Sequence, residues 1–88
     1  MSVEDDLTTR QREILRLVVK DYVQAGRAVG SQSLIERHPL NVSSATVRNE
    51  LAALERKGFV QHLHTSAGRV PTDLGYRYYV EPFALASS

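Results

Sequence analysis

Between residues 42 and 49 the chain carries no acid, one arginine, one asparagine and three hydroxyls, Ser43, Ser44 and Thr46. This set of groups suits binding better than catalysis. An arginine can donate two parallel hydrogen bonds to guanine and an asparagine can pair two-pronged with adenine, each contributing about 1–3 kcal/mol of discrimination. Arg48 and Asn49 are therefore the base-reading candidates. Ser43, Ser44 and Thr46 can donate to phosphate or bases, although Ser43 is first of all a helix N-cap. At helical spacing, Val47, Leu51 and Leu54 share one stripe, and Ala45, Asn49, Ala52 and Arg56 lie opposite, flanked by Arg48 and Thr46. Ala45 and Ala52 keep that face low, so the backbone can approach another surface closely. The plain alternative for Arg48 is a pair with Glu50 or Glu55 on its own helix, a contact worth under about 1 kcal/mol when exposed.

A second group follows. His62 and His64 are two residues apart, on one face of a predicted strand, and Arg69 lies just past the turn Ser66-Ala67-Gly68. Two imidazoles fall short of a zinc ligand set, and no cysteine or nearby acid completes one, so neither metal nor other cofactor is expected. On a hairpin the same residues suit DNA-backbone contact: Arg69 to a phosphate or the minor groove, with His64, Thr65, Ser66 and the Gly68 backbone beside it. A solvated hairpin tip is the alternative for Arg69. Tyr76 and Tyr79 recur at helical spacing with Val80 and Phe83 and read as packing residues; Tyr78 or Arg77 points away from them, toward a phosphate or a partner. Nothing indicates an enzyme, since there is no glycine-rich phosphate loop after a strand and no Ser-His-Asp set.

The elements needed to present these groups are legible in the spacing. Thr8 and Gln11 form a capping box, and Ile14, Leu15, Val18, Tyr22 and Val23 predict a first helix from about Thr9 to Ala25, ended by Gly26. Ser31 reads as the N-cap of a short second helix that ends near Arg37, because His38 precedes Pro39. Ser31 and Gln32 at its start are candidate phosphate contacts. Ser43 opens a third helix that Gly58 stops after Lys57. Residues 59–65 read as a strand with Phe59, and in part Leu63, facing the core. Pro71 suits an edge, and Thr72 with Asp73 opens a last helix that packs under the first. The predicted fold is mainly α with a small β-hairpin wing, a winged helix-turn-helix in a single domain. Residues 1–6 are expected to be a disordered acidic tail, 7–83 the domain, and 84–88 a flexible tail.

At 88 residues the chain has room for one domain. It has no cysteine, no apolar run long enough to cross a bilayer and no secretory leader, which together predict a soluble cytoplasmic protein. The net charge of +1 argues against a strongly basic nucleic-acid domain, but Glu4, Asp5 and Asp6 are gathered in the predicted tail, away from the acid-free start of the third helix.

The stretches VGSQSLIER, NVSSATVRNELAALERKGFV and HTSAGRVPTDLGYRYYV resemble the N-terminal DNA-binding domain of the HrcA family of bacterial heat-inducible transcription repressors, as does LTTRQREILRLVVKDYVQAGRAVGS. The resemblance covers residues 7–80. It implies a repressor that binds as a homodimer to double-stranded DNA at an inverted-repeat operator, called CIRCE, upstream of chaperone operons, is released by heat and is supported by the GroEL chaperonin. The positions it carries over are Ser43, Ser44, Thr46, Arg48 and Asn49 on the recognition helix and His64, Thr65, Ser66, Gly68 and Arg69 in the wing. Members of that family continue into a larger region that supplies dimerisation and regulation, so this chain is expected to be either a domain of such a protein or a short homologue. The rival reading is a winged-helix protein-interaction or dimerisation module that binds no specific DNA.

Overall fold

The computed structural model describes residues 7–63 and 68–78. The tails expected over 1–6 and 84–88, the residues His64, Thr65 and Ser66, and Tyr79, Val80 and Phe83 lie outside the described residues.

Helix α1 (Thr9–Ala25) begins at the expected capping box: the Thr8 hydroxyl accepts from the Gln11 amide and the Gln11 side chain accepts from the Thr8 amide, both at 3.1 Å. Gly26 ends it, donating its N–H to the Tyr22 carbonyl. Helix α2 (Ser31–Arg37) stops where Pro39 requires, but its N-cap is Gly30, with no side-chain cap bond. The expectation that Ser31 caps α2 is corrected by one position, and Ser31 becomes the first helical residue. Residues 39–42 form the turn, with Leu40 and Val42 packed on the core.

Helix α3 (Ser44–Arg56) is capped at both ends by its own sequence. The Ser43 hydroxyl accepts from the Thr46 amide at 3.2 Å. At the other end Gly58, at φ 89°, turns the chain left-handed. The Gly58 N–H then donates to the Glu55 carbonyl and the Phe59 N–H to the Leu54 carbonyl, the two bonds of a Schellman motif. Phe59 and Leu54, both buried, complete its usual apolar contact. The motif turns the chain straight into the wing.

Strands β1 (Val60–His62) and β2 (Arg69–Pro71) pair antiparallel with Val60 opposite Pro71, Gln61 opposite Val70 and His62 opposite Arg69. The described strand is shorter than the expected 59–65, and Leu63 is 40% exposed instead of facing the core. Val60 is buried, and Gln61 and His62 after it are exposed. Val29 joins the hairpin through a bridge to Arg69.

One core unites these elements. Ile14, Leu15, Val18 and Val19 of α1 meet Leu34 of α2, Val47, Leu51 and Leu54 of α3, and Phe59 and Val60 at the wing base. Residues 73–78 are helical, and the Thr72 hydroxyl accepts from the Gly75 amide at their start. Tyr76 stands edge-on to Tyr22 of α1, as expected for a helix packed under α1. Burial first, and the neighbouring Tyr22 second, push the Tyr76 hydroxyl above its ordinary value. Tyr78 is corrected: its ring packs edge-on against Phe59, with centroids 5.9 Å apart, and does not point away to a phosphate.

Gly75 is where this last helix meets the wing base. A Cβ there would lie inside the contact radius of the Phe59 carbonyl oxygen and 3.5 Å from the Leu15 side chain. Gly75→Ala is expected to destabilise the domain by about 1–3 kcal/mol despite the better helix propensity of alanine. A thermal melt would show it; an unchanged midpoint would mean that the close approach is relaxed at no cost.

Candidate nucleic-acid interface

The exposed face of α3 is the one projected from the spacing. Val47, Leu51 and Leu54 are buried, whereas Ala45, Arg48, Asn49 and Arg56 are exposed and Ala52 is half-buried at the edge of the face. Ser44 and Thr46 are half-buried and Ser43 is exposed. The Thr46 hydroxyl lies 3.1 Å from that of Ser43, so the two share the capping duty at the helix start.

Neither acid of α3 acts on this face. Glu50 accepts from Gln11 Nε2 at 3.1 Å and lies 3.8 Å from Arg10, both on α1. Glu55 accepts from Arg69 Nε at 2.8 Å. The alternative in which Arg48 pairs with Glu50 or Glu55 is therefore not the one adopted. Arg48 and Asn49 have no polar partner among the described residues, and Arg48 and Arg56 leave the face cationic. Long polar side chains held ready in water, over a low alanine surface, suit docking to a polyanion groove of matching width.

Gln11 locks α3 against α1, a role the sequence reading missed. It is 7% exposed; its Oε1 accepts from Lys57 Nζ at 3.1 Å while its Nε2 holds Glu50. The signal was present, since Gln11 stands on the buried stripe of α1 three and four residues before Ile14 and Leu15. Asp21 on the same stripe was also missed. It is 3% exposed, and His38 Nε2 lies 3.1 Å from both its oxygens, tying α1 to the end of α2 at the start of the turn.

The other expected contacts separate. Gln32 is exposed but donates to Glu36 at 3.3 Å, and Ser31 is half-buried. The wing residues His64, Thr65 and Ser66 lie outside the described residues. Gly68, expected to offer its backbone to a phosphate, is buried, and a Cβ on it would meet Ala28 at 2.9 Å. Arg69 is likewise not at a solvated tip; its side chain is 16% exposed and turned onto Glu55. The described residues contain no cluster of three or more metal-ligating side chains and no helix long and apolar enough to cross a membrane.

Residues 4–68 match the family model for the LexA DNA binding domain. The chain is 59% identical over 76 residues to the heat-inducible transcription repressor HrcA of Roseiflexus sp. (strain RS-1), covering 86% of this chain and 21% of that protein. It is 60% identical over 81 residues to the protein of the same name from Thermomicrobium roseum, covering 92% and 23%, and 53% identical over 78 residues to that of Cutibacterium acnes, covering 89% and 23%. The chain thus spans under a quarter of the length of these relatives. A crystal structure described only as that of a hypothetical protein superposes with a TM-score of 0.88 at 40% identity, over 93% of this chain and 26% of that one.

Proposed function

Because the chain belongs to the LexA DNA-binding domain family, we propose that it is the sequence-reading domain of a bacterial transcription repressor, with α3 lying in the major groove. The observation that carries this reading is the exposed Ala45–Arg48–Asn49–Ala52 face, cleared of acids by the contacts of Glu50 with α1 and Glu55 with Arg69. Arg48 and Asn49 contact base edges. Ser43, Ser44 and Thr46, with the N-terminal amides of α3, take a phosphate, and Ser31 and Gln32 reach the flanking backbone. His64, Thr65 and Ser66 of the wing contribute contacts to the DNA backbone.

The likeness to HrcA repressors supports the finer proposal that the target is an inverted repeat of the CIRCE type at chaperone operons, occupied by a homodimer in the cytoplasm. Two-fold symmetric DNA matches a two-fold dimer, so one copy of this chain meets one half-site. A contribution from the GroEL chaperonin belongs to the same proposal.

An electrophoretic shift with an inverted-repeat duplex and a scrambled duplex, each at two salt concentrations, tests it. The chain should shift the inverted repeat preferentially and more weakly at higher salt. No shift at low salt would support the protein-interaction module instead. Ser43→Asp sharpens the result: aspartate is an equally good N-cap, so stability is retained within about 0.5 kcal/mol, but its charge faces the proposed phosphate. Binding should fall about tenfold on every duplex. Unchanged binding would remove the phosphate from the α3 N-terminus.

A further inference from the structure

Three segments converge on Arg69. Its backbone exchanges N–H···O bonds with Val29 in both directions, each 2.8 Å, and so joins the wing to the segment leading into α2. Its side chain crosses to the last turns of α3, where Nε donates to Glu55 Oε1 at 2.8 Å. Gly68, immediately before it, leaves no room for a Cβ against Ala28 and Val29. A two-stranded hairpin is marginal by itself and takes its orientation from what it is fastened to. Beside the Schellman turn that leads into β1, the Arg69–Glu55 ion pair ties the wing strands to α3 through side chains.

We propose that Glu55 and Arg69 are positioning residues that set the wing at a fixed angle to α3, so that both can engage one duplex at once. This rests on the reading of α3 as the groove-entering helix. Arg69 acts through Glu55 and not as a phosphate ligand: its side chain is 16% exposed, and its Nε–H is already answered by a carboxylate at hydrogen-bonding distance. Glu55, in turn, is kept on a DNA-binding helix, where an acid opposes binding, because it holds the wing.

The test is a set of four proteins, wild type, Glu55→Gln, Arg69→Gln and the charge swap Glu55→Arg/Arg69→Glu, titrated with the preferred duplex over a salt series. Each single substitution should weaken binding about tenfold with the log–log salt slope unchanged, and the swap should recover most of the loss. Direct phosphate contact requires the reverse, and any of its signs overturns the proposal: a slope shallower by about one in Arg69→Gln, tighter binding in Glu55→Gln, and no recovery in the swap, since an acid then faces the phosphate. A second readout needs no DNA and stands apart from the function proposed above. Amide hydrogen exchange at Val29 and Arg69 should quicken in Glu55→Gln while the α1 core amides stay protected; equal protection in both proteins would overturn the fastening. If the wild type itself prefers no duplex, the functional reading fails while the exchange result still stands or falls alone.

Discussion

Replacing Arg48 and Asn49 together by alanine is expected to lower affinity for the preferred duplex by about 2–6 kcal/mol, a factor on the order of 30 to 10⁴. Binding to unrelated DNA should fall far less, because only one charge is lost and non-specific affinity comes from the whole set of phosphate contacts. The two side chains are adjacent in sequence, so their contributions are expected to overlap, and the lower half of the range is reached if they share one base step. The fold should not suffer. Both residues are exposed, neither has a polar partner among the described residues, and alanine is the better helix former. Titration of both duplexes, with a thermal melt as control, checks this. An equal loss on preferred and scrambled DNA would remove the pair from base reading and leave Arg48 as a charge.

The largest stability effect is expected away from that face, at His38. Asp21 is 3% exposed, and both its oxygens face His38 Nε2, whose side chain is 17% exposed. His38→Ala leaves a buried carboxylate without its partner, at a cost of about 3 kcal/mol. In a domain of this size such a loss corresponds to a fall in midpoint on the order of 15 °C. Replacing both members, Asp21→Ala with His38→Ala, should cost less than the His38 change alone, since the stranded charge goes too. If the two single losses simply add, the contact does not act as a pair. The substitution should also weaken DNA binding, because the pair holds the end of α2 and the turn that aims α3.

The α3 face was legible because helical spacing is a local property: Val47, Leu51 and Leu54 fix which way the helix turns, and Arg48 and Asn49 follow on the other side. Its ends were legible for the same reason, through Ser43 and Gly58. The pairs that orient it were not. Asp21 and His38 are 17 residues apart, and Gln11 and Lys57 are 46 apart; only the crossing of α1 over α2 and α3 brings them together. A polar residue on an apolar stripe is the sole trace such pairs leave, and both Gln11 and Asp21 carry it. The hairpin chemistry around Arg69 suggests a phosphate or minor-groove contact, and only the Val29 bridge and Glu55, both distant in sequence, reveal that its side chain is held at the wing base. Tyr78 was turned outward by helical projection alone, and Phe59, reached through the Schellman turn, supplies the ring that receives it. Ser31 shifted by one position because Gly30 adopts the extended N-cap conformation without offering a side chain.

Selection of bound duplexes from a randomised pool, carried out in parallel with the wild type and Asn49→Ala, tests the reading of sequence by α3 most directly. The wild type should enrich a two-fold symmetric sequence. Asn49→Ala should lose preference at one adenine-bearing position in each half-site and keep it elsewhere. Identical enrichment by the two proteins, or no enrichment by the wild type, would contradict the account.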